Sequence, residues 1–246
     1  MGTSDEEITE VVFDTGSSWL VMETTDCSAC TGKYDISTST AYSATTRAMS
    51  QTYGDGTSIV GVQASDDACF LSSSLCASDF NWMNIQSTGL GDDLNGILGL
   101  SHNPSAFSTL YPADDLMTVL YDDGVITANT FAFGLRGYTD ADSSFIDIGH
   151  YNTNAMDDST QLIWTDVATD PYYGDGWWQN YMTGVRFRDQ VTGSVTYATS
   201  VANAVEYSTN VYNILSIIDS GSSCLVLSSS VYDFVLSQLQ SYLTTY

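Results

Sequence analysis

The sequence predicts an all-β protein, on three observations. Short apolar runs of strand length recur along the chain, separated by Gly, Asp, Asn and Ser. Asp outnumbers Glu by 25 to 5, and Asp forms turns where Glu favours helix, so the acidic residues belong to the loops between strands. One strand-and-turn pattern occurs twice, near Asp14 and near Asp219, which marks an internal repeat of architecture.

Taken in order, the apolar runs place strands at residues 11–13, 58–62 and 97–100 in the first part of the chain. A helix is expected over 114–121, because Pro112 precedes it and Leu116, Val119 and Leu120 share one face. Further strands follow at 130–135, 145–148, 162–167, 179–187, 194–198, 215–218 and 224–227. The chain then turns helical over 229–246, where capping serines precede Val231, Val235, Leu236, Leu239 and Leu243 at helical period. The polar stretch 157–161 is the one candidate boundary between two units.

Composition removes several function classes. With 246 residues, 43% of them hydrophobic, the chain can bury one large β core or two lobes. A net charge of −25 repels a nucleic-acid backbone and an anionic membrane surface alike. No run of the sequence is apolar for the length a membrane span requires. His102 and His150 stand apart, without Cys or Glu at ligand spacing, so no metal site is expected. The close pairs Cys27/Cys30 and Cys69/Cys76 point to an oxidising compartment, with Cys224 left over.

The repeat carries the chemistry. Val11-Val12-Phe13-Asp14-Thr15-Gly16-Ser17-Ser18 returns as Ile217-Ile218-Asp219-Ser220-Gly221-Ser222-Ser223. A single Asp-Thr-Gly is an ordinary turn. Two copies, each after an apolar strand and each followed by hydroxyls able to bond a carboxylate, make a different case. If a pseudo-twofold axis relates them, Asp14 and Asp219 meet. Two touching carboxylates cannot both ionise cheaply, so they share a proton and divide the acid and base roles.

With these motifs in place the chain resembles the pepsin-like aspartic endopeptidases over nearly its whole length. Gly2-Thr3 through Asp14-Thr15-Gly16-Ser17-Ser18 resembles the first strands and active-site turn of that family. Tyr53-Gly54-Asp55-Gly56-Thr57, with Tyr53 falling 39 residues after Asp14, resembles the tip of its flap. Asn95-Gly96-Ile97-Leu98-Gly99-Leu100 resembles the strand beneath the first Asp, with Asn95 in place of the family's Asp. Asp147-Ile148-Gly149-His150-Tyr151, residues 162–167 and Trp177-Trp178-Gln179 follow the family's order between lobes, and Asp219-Ser220-Gly221-Ser222 resembles the second turn. The family's flap-bonding tryptophan falls at Val21, whereas this chain has Trp19. After Asp219 only 27 residues follow, fewer than relatives carry.

The resemblance implies a bilobal fold with a few short helices, residues 1–156 forming one lobe and 157–246 an incomplete second lobe. It implies peptide hydrolysis in acid by a water held between Asp14 and Asp219, with no cofactor and no metal. Thr15, Gly16 and Ser17 would support the first carboxylate, and Ser220, Gly221 and Ser222 the second, with the serines on the outer oxygens and the glycine amides on the inner ones. Tyr53 would close over the substrate, with Gly54, Asp55 and Gly56 forming the mobile tip. Val12, Ile97 and Ile217 align with pocket positions, and serve equally well as strand packing. Cys27 and Cys30 fall where relatives close a small disulfide loop. The alternative redox reading of their spacing needs a helix N-terminus that is not in evidence. Cys69 and Cys76 would staple a hairpin, and Cys224 would be a buried thiol in an apolar strand or have lost its partner. The expected partner is a peptide or protein substrate. The expected state is a monomer, secreted or held in an acidic vesicle such as a lysosome, vacuole or food vacuole. By itself the chain is expected to be incomplete and to have little activity. A non-catalytic peptide-binding module is the competing reading, and an acidic β-rich surface protein without a cleft is a third that leaves the repeated turn unexplained.

Overall fold

A computed structural model describes residues 1–2, 10–31, 34–70, 74–87, 90–91, 94–106, 113–137, 143–156, 162–170, 174–182, 185–188, 195–198 and 214–245. The expected boundary at 157–161 and Thr3 of the first motif lie outside them. Among the described residues the architecture is all-β, with two α-helices and three single-turn 3-10 helices.

The largest element is a six-stranded sheet. Its strands are β1 (Val12–Asp14), β2 (Leu20–Glu23), β3 (Ser43–Thr52), β4 (Ser58–Cys69), β5 (Cys76–Ser87) and β6 (Gly96–Gly99), in the spatial order β1-β6-β2-β5-β4-β3. β6 lies between β1 and β2, parallel to β1 and antiparallel to β2, with Val12 opposite Ile97 and Asp14 opposite Gly99. The core gathers on this sheet: Met22, Tyr34, Phe80, Trp82 and Leu100 are buried against Leu116, Met117 and Leu120 of α1 (Leu116–Asp122). Asp115 caps α1, its Oδ1 accepting the Met117 amide at 3.0 Å and its Oδ2 the Thr118 hydroxyl at 2.7 Å. A second cluster packs Val21, Ile59, Met83 and Ile85 on the Cys27–Cys30 disulfide. Cys69 and Cys76 are joined at the β4–β5 turn, so both expected pairs form.

The later strands form three two-stranded sheets. β7 (Phe131–Gly134) pairs with β8 (Phe145–Ile148), β9 (Gln179–Met182) with β12 (Ile214–Ile217), and β10 (Val185–Arg188) with β11 (Val195–Ala198). The run predicted at 179–187 is therefore two strands.

Three further expectations are corrected. Residues 162–167 and 224–227 join no strand ladder among the described residues, and Ile163, Trp164, Leu225 and Val226 are exposed. An apolar run makes a strand only where a ladder of backbone bonds forms along it. Residues 162–167 meet β9 only through Thr165 Oγ1, which donates to Asn180 at 3.2 Å, and through the following Ala168 amide, which donates to the Gln179 carbonyl at 2.8 Å. Cys224 is consequently an exposed free thiol and not a buried one. In α2 (Ser229–Thr245), Val231 is buried and packs near Phe234 and Val235, whereas Leu239 and Leu243 of the predicted apolar face stay exposed. Conversely, the apolar runs do not mark β2, β3 or β5, although the hairpins expected at Tyr53 and at Cys69/Cys76 imply the last two, and β4 runs seven residues past its predicted end. The polar end of β4 can be buried because Asp66 is satisfied there, accepting from Tyr34 at 2.8 Å and Ser39 at 2.7 Å.

Candidate active site

Asp14 is the last residue of β1, and β6 fixes it from the side. The Leu100 amide donates to the Asp14 carbonyl at 2.8 Å, and the Ser101 amide to that of Ser17 at 3.0 Å. This cover leaves Asp14, Thr15 and Ser17 buried. Asp219 follows β12 by two residues and is half-buried, while Ser220, Gly221 and Ser222 are exposed.

The two turns are joined by a reciprocal grip. The Thr15 amide donates to Ser220 Oγ at 3.1 Å, and the Ser220 amide to Thr15 Oγ1 at 2.9 Å. The same hydroxyls then donate onward, Thr15 Oγ1 to the Ile218 carbonyl at 2.7 Å and Ser220 Oγ to the Phe13 carbonyl at 2.6 Å. The only signal of this four-bond crossing in the sequence is the small hydroxyl residue after each Asp, Thr15 and Ser220.

The grip brings the carboxylates together. A Cβ on Gly16 would lie 2.6 Å from the Asp219 carboxylate, and one on Gly221 would fall on that of Asp14. Neither glycine has a positive φ, so the requirement is for space and not for backbone freedom. The Gly16 amide donates to Asp14 Oδ1 at 2.9 Å, and the Gly221 amide to Asp219 Oδ1 at 2.9 Å. Ser222 Oγ donates to Asp219 Oδ2 at 2.6 Å. Ser17, the matching residue, is buried beside Asp14 and favours its charged form, although no hydrogen bond of good geometry joins them.

The environments split the pair. Asp14 titrates above the ordinary carboxylate range: burial is the main cause, Ser17 and the Gly16 amide offset part of it, and Asp219 adds to the rise. At Asp219 burial also pushes upward. The Ser222 hydroxyl, Asp14 and the amides of Gly221 and Ser222 outweigh it and hold Asp219 below that range. One carboxyl is thus kept protonated beside one kept ionised, the arrangement that acid–base work on a single substrate needs.

Tyr53 lies at the turn between β3 and β4. Its amide donates to the Thr57 carbonyl at 2.9 Å, and its carbonyl accepts from Gly56, whose φ of 91° requires glycine. Asp55 at the tip accepts from the Thr57 amide at 2.8 Å and the Thr57 hydroxyl at 2.9 Å, which holds its carboxyl below the usual range. Nothing lies near Gly54. The Tyr53 hydroxyl is buried with no hydrogen-bond partner among the described residues, and burial, then the charges of Asp14 and Asp55, push its phenol up. Its ring packs on the Val21 cluster together with Trp19 and Ile97. Val12 pairs with Ile97, while Ile217 lies on β12 opposite Gln179, away from that pair in the sheet order.

Residues 174–179 reach the same place from elsewhere in the chain. Trp177 Nε1 donates to the Gly16 carbonyl at 2.9 Å, and Trp178 Nε1 to the Leu100 carbonyl at 2.7 Å. A pocket of about 300 Å³ lined by His102, Asn103, Asp114 and Asp115 includes no residue of either turn. Its acids are already engaged, Asp115 as the α1 cap and Asp114 as acceptor from Asn81.

A β framework that presents two aspartates on matching Gly-containing turns, at contact and oppositely shifted, defines a paired-carboxylate protein. A family model described as eukaryotic aspartyl protease matches residues 1–246, and the chain belongs to that family. It is 25% identical to rhizopuspepsin-1 of Rhizopus niveus, over 89% of this chain and 51% of the relative. It is 26% identical to syncephapepsin of Syncephalastrum racemosum, over 81% and 48%, and 27% identical to pepsin II-2/3 of Oryctolagus cuniculus, over 99% and 56%. The chain spans about half the length of the curated relatives it matches. Among the described residues no helix is long and apolar enough to cross a membrane, and no cluster of three or more His, Cys, Asp or Glu is placed to hold a metal ion.

Proposed function

We propose that this chain carries the catalytic pair of an aspartic endopeptidase working in acid. The observation that supports it most is the contact of Asp14 and Asp219 with opposite shifts. Asp219, ionised, takes a proton from a water held between the two carboxyls. Asp14, protonated, gives its proton to the scissile carbonyl oxygen as the water oxygen bonds to the carbonyl carbon. The tetrahedral intermediate collapses as the C–N bond breaks: Asp219 gives the proton it took to the leaving nitrogen, and Asp14 takes one back from a hydroxyl of the intermediate. The pair is left with one proton, as it began.

Ser222 and the glycine amides hold the carboxylates in place, Thr15 and Ser220 fix the spacing of the turns, and Tyr53 covers the pair and limits water. Val12, Ile97 and Ile217 are assigned to apolar contacts with the peptide. We divide the chain at 156/157 into two lobes acting as one monomer. The two disulfides and the acidic surface fit export or an acidic vesicle.

The test is binding of a statine peptide, whose hydroxyl takes the place of the water. Calorimetry in acid on the full-length protein is expected to give a Kd roughly 100-fold tighter than for the matched peptide lacking that hydroxyl. That difference should vanish in Asp219→Asn. Equal affinity for the two peptides would support a peptide-binding module without a catalytic pair.

A further inference from the structure

Four hydrogen bonds close a ring through both aspartate turns. The Leu100 amide donates to the Asp14 carbonyl at 2.8 Å, and the Trp178 indole to the Leu100 carbonyl at 2.7 Å. The Ile218 amide donates to the Trp178 carbonyl at 2.8 Å, and the Thr15 hydroxyl to the Ile218 carbonyl at 2.7 Å. Leu100 directly follows the strand that braces Asp14, and Ile218 directly precedes Asp219. Trp178 is the one member that joins these two backbones, the first by its side chain and the second by its main chain.

Its ring has little freedom to drift. The indole meets the edge of His102 at 4.7 Å and of Phe131 at 5.6 Å, both nearly perpendicular. The segment before it is pinned to the same loop: the Asn103 amide donates to Gly176 at 3.1 Å, and Asn103 Nδ2 to Asp175 Oδ1 at 2.9 Å. Trp177 adds a bond to the Gly16 carbonyl.

We propose that Trp178 is a positioning residue that sets the separation of Asp14 and Asp219. The grip of Thr15 and Ser220 ties the turns themselves; Trp178 ties the backbones leading into them. With the indole N–H removed, Leu100 and Ile218 lose their common anchor, and the carboxyls can move apart. The inference rests on reading the aspartates as a proton-sharing pair, and two carboxyls that separate interact less, so their two apparent pKa values draw together.

The experiment is Trp178→Phe in the full-length protein, which keeps an aromatic ring and deletes the donor. Carbon-13 carboxyl NMR would follow the titration of Asp14 and Asp219, assigned through their Asn variants. Tyr53 faces the pair and His102 and Asp175 flank the indole; all three remain unchanged. The separation of the two apparent pKa values is expected to shrink by about one unit. In peptide cleavage, kcat should fall roughly 10- to 100-fold while KM changes little. A role in folding alone would lower the melting temperature and leave the separation as it was, and that result overturns the proposal. If Trp178→Phe does not fold, benzothienylalanine at 178, isosteric but lacking the N–H, gives the same two outcomes. Should the wild-type pair titrate as coupled groups without cleaving peptide, the protease reading falls, and the NMR comparison still decides the role of Trp178.

Discussion

Asp14→Asn and Asp219→Asn are each expected to abolish the proposed peptide hydrolysis by the full-length protein, lowering kcat/KM by about 10⁴-fold or more. An amide has the shape of a carboxyl but can neither hold the proton that Asp14 keeps nor accept the one that Asp219 takes. The two losses differ in kind. Asp219→Asn removes the base that Ser222 and the Gly221 amide keep ionised. Asp14→Asn removes the acid whose proton is retained mainly by burial. Assays in acid on a denatured protein substrate, with thermal melting to establish that each variant folds, measure both. Appreciable cleavage by either variant would remove that residue from the mechanism.

Gly221→Ala and Gly16→Ala should lower kcat roughly 100-fold, because a misplacement near 1 Å at the reacting groups costs about that much. The added methyl meets the opposite carboxylate in each case, not its own turn. The protein must therefore spread the turns against the four bonds of the Thr15–Ser220 grip, or twist a carboxyl off the Gly amide that orients it. Gly221→Ala is expected to be the more damaging, since its methyl falls on the buried Asp14, which cannot turn towards solvent. Stopped-flow or steady-state rates on a chromogenic peptide measure both. A Gly221→Ala protein with the wild-type kcat would mean that the carboxyls are not in contact.

The pair was legible in the sequence because the repeat states it twice: an apolar strand, an Asp, a small hydroxyl and a Gly. Strands with an unbroken apolar run, such as β6 with its Ile97 and Leu98, are legible from that run alone. β3 was not, because Ser43–Thr52 is largely exposed and its residues are polar on both faces. β5 was not, because Asn81 and Asn84 interrupt its apolar pattern and are satisfied from other parts of the chain, Asn81 by Asp114 and Gln63 and Asn84 by Thr24, Asp26 and Tyr42. The runs at 162–167 and 224–227 point the wrong way, since among the described residues they join no ladder and Ile163, Trp164, Leu225 and Val226 stay exposed. The asymmetry of the aspartates could not be read from two nearly identical motifs. It comes from β6 covering one turn, while the other stands exposed. The sequence marks Trp177 and Trp178 only by their place in a family order. Their bonds to Gly16 and Leu100 cross 161 and 78 residues of chain, a distance no local pattern spans.

The central claim is that Asp14 and Asp219 act as one unit holding a single proton, and the dependence of kcat/KM on pH tests it most directly. Asp219 is held low and stays ionised into acid; Asp14 is held high and keeps its proton as the pH rises. Below the Asp219 transition the base is protonated and the rate falls; above the Asp14 transition the acid is lost and the rate falls again. The full-length protein is therefore expected to give a bell with one limb below the ordinary carboxylate range and one above it. A rate that instead rises through the carboxylate range to a plateau at neutral pH would mean that no proton shared by these two aspartates drives the reaction.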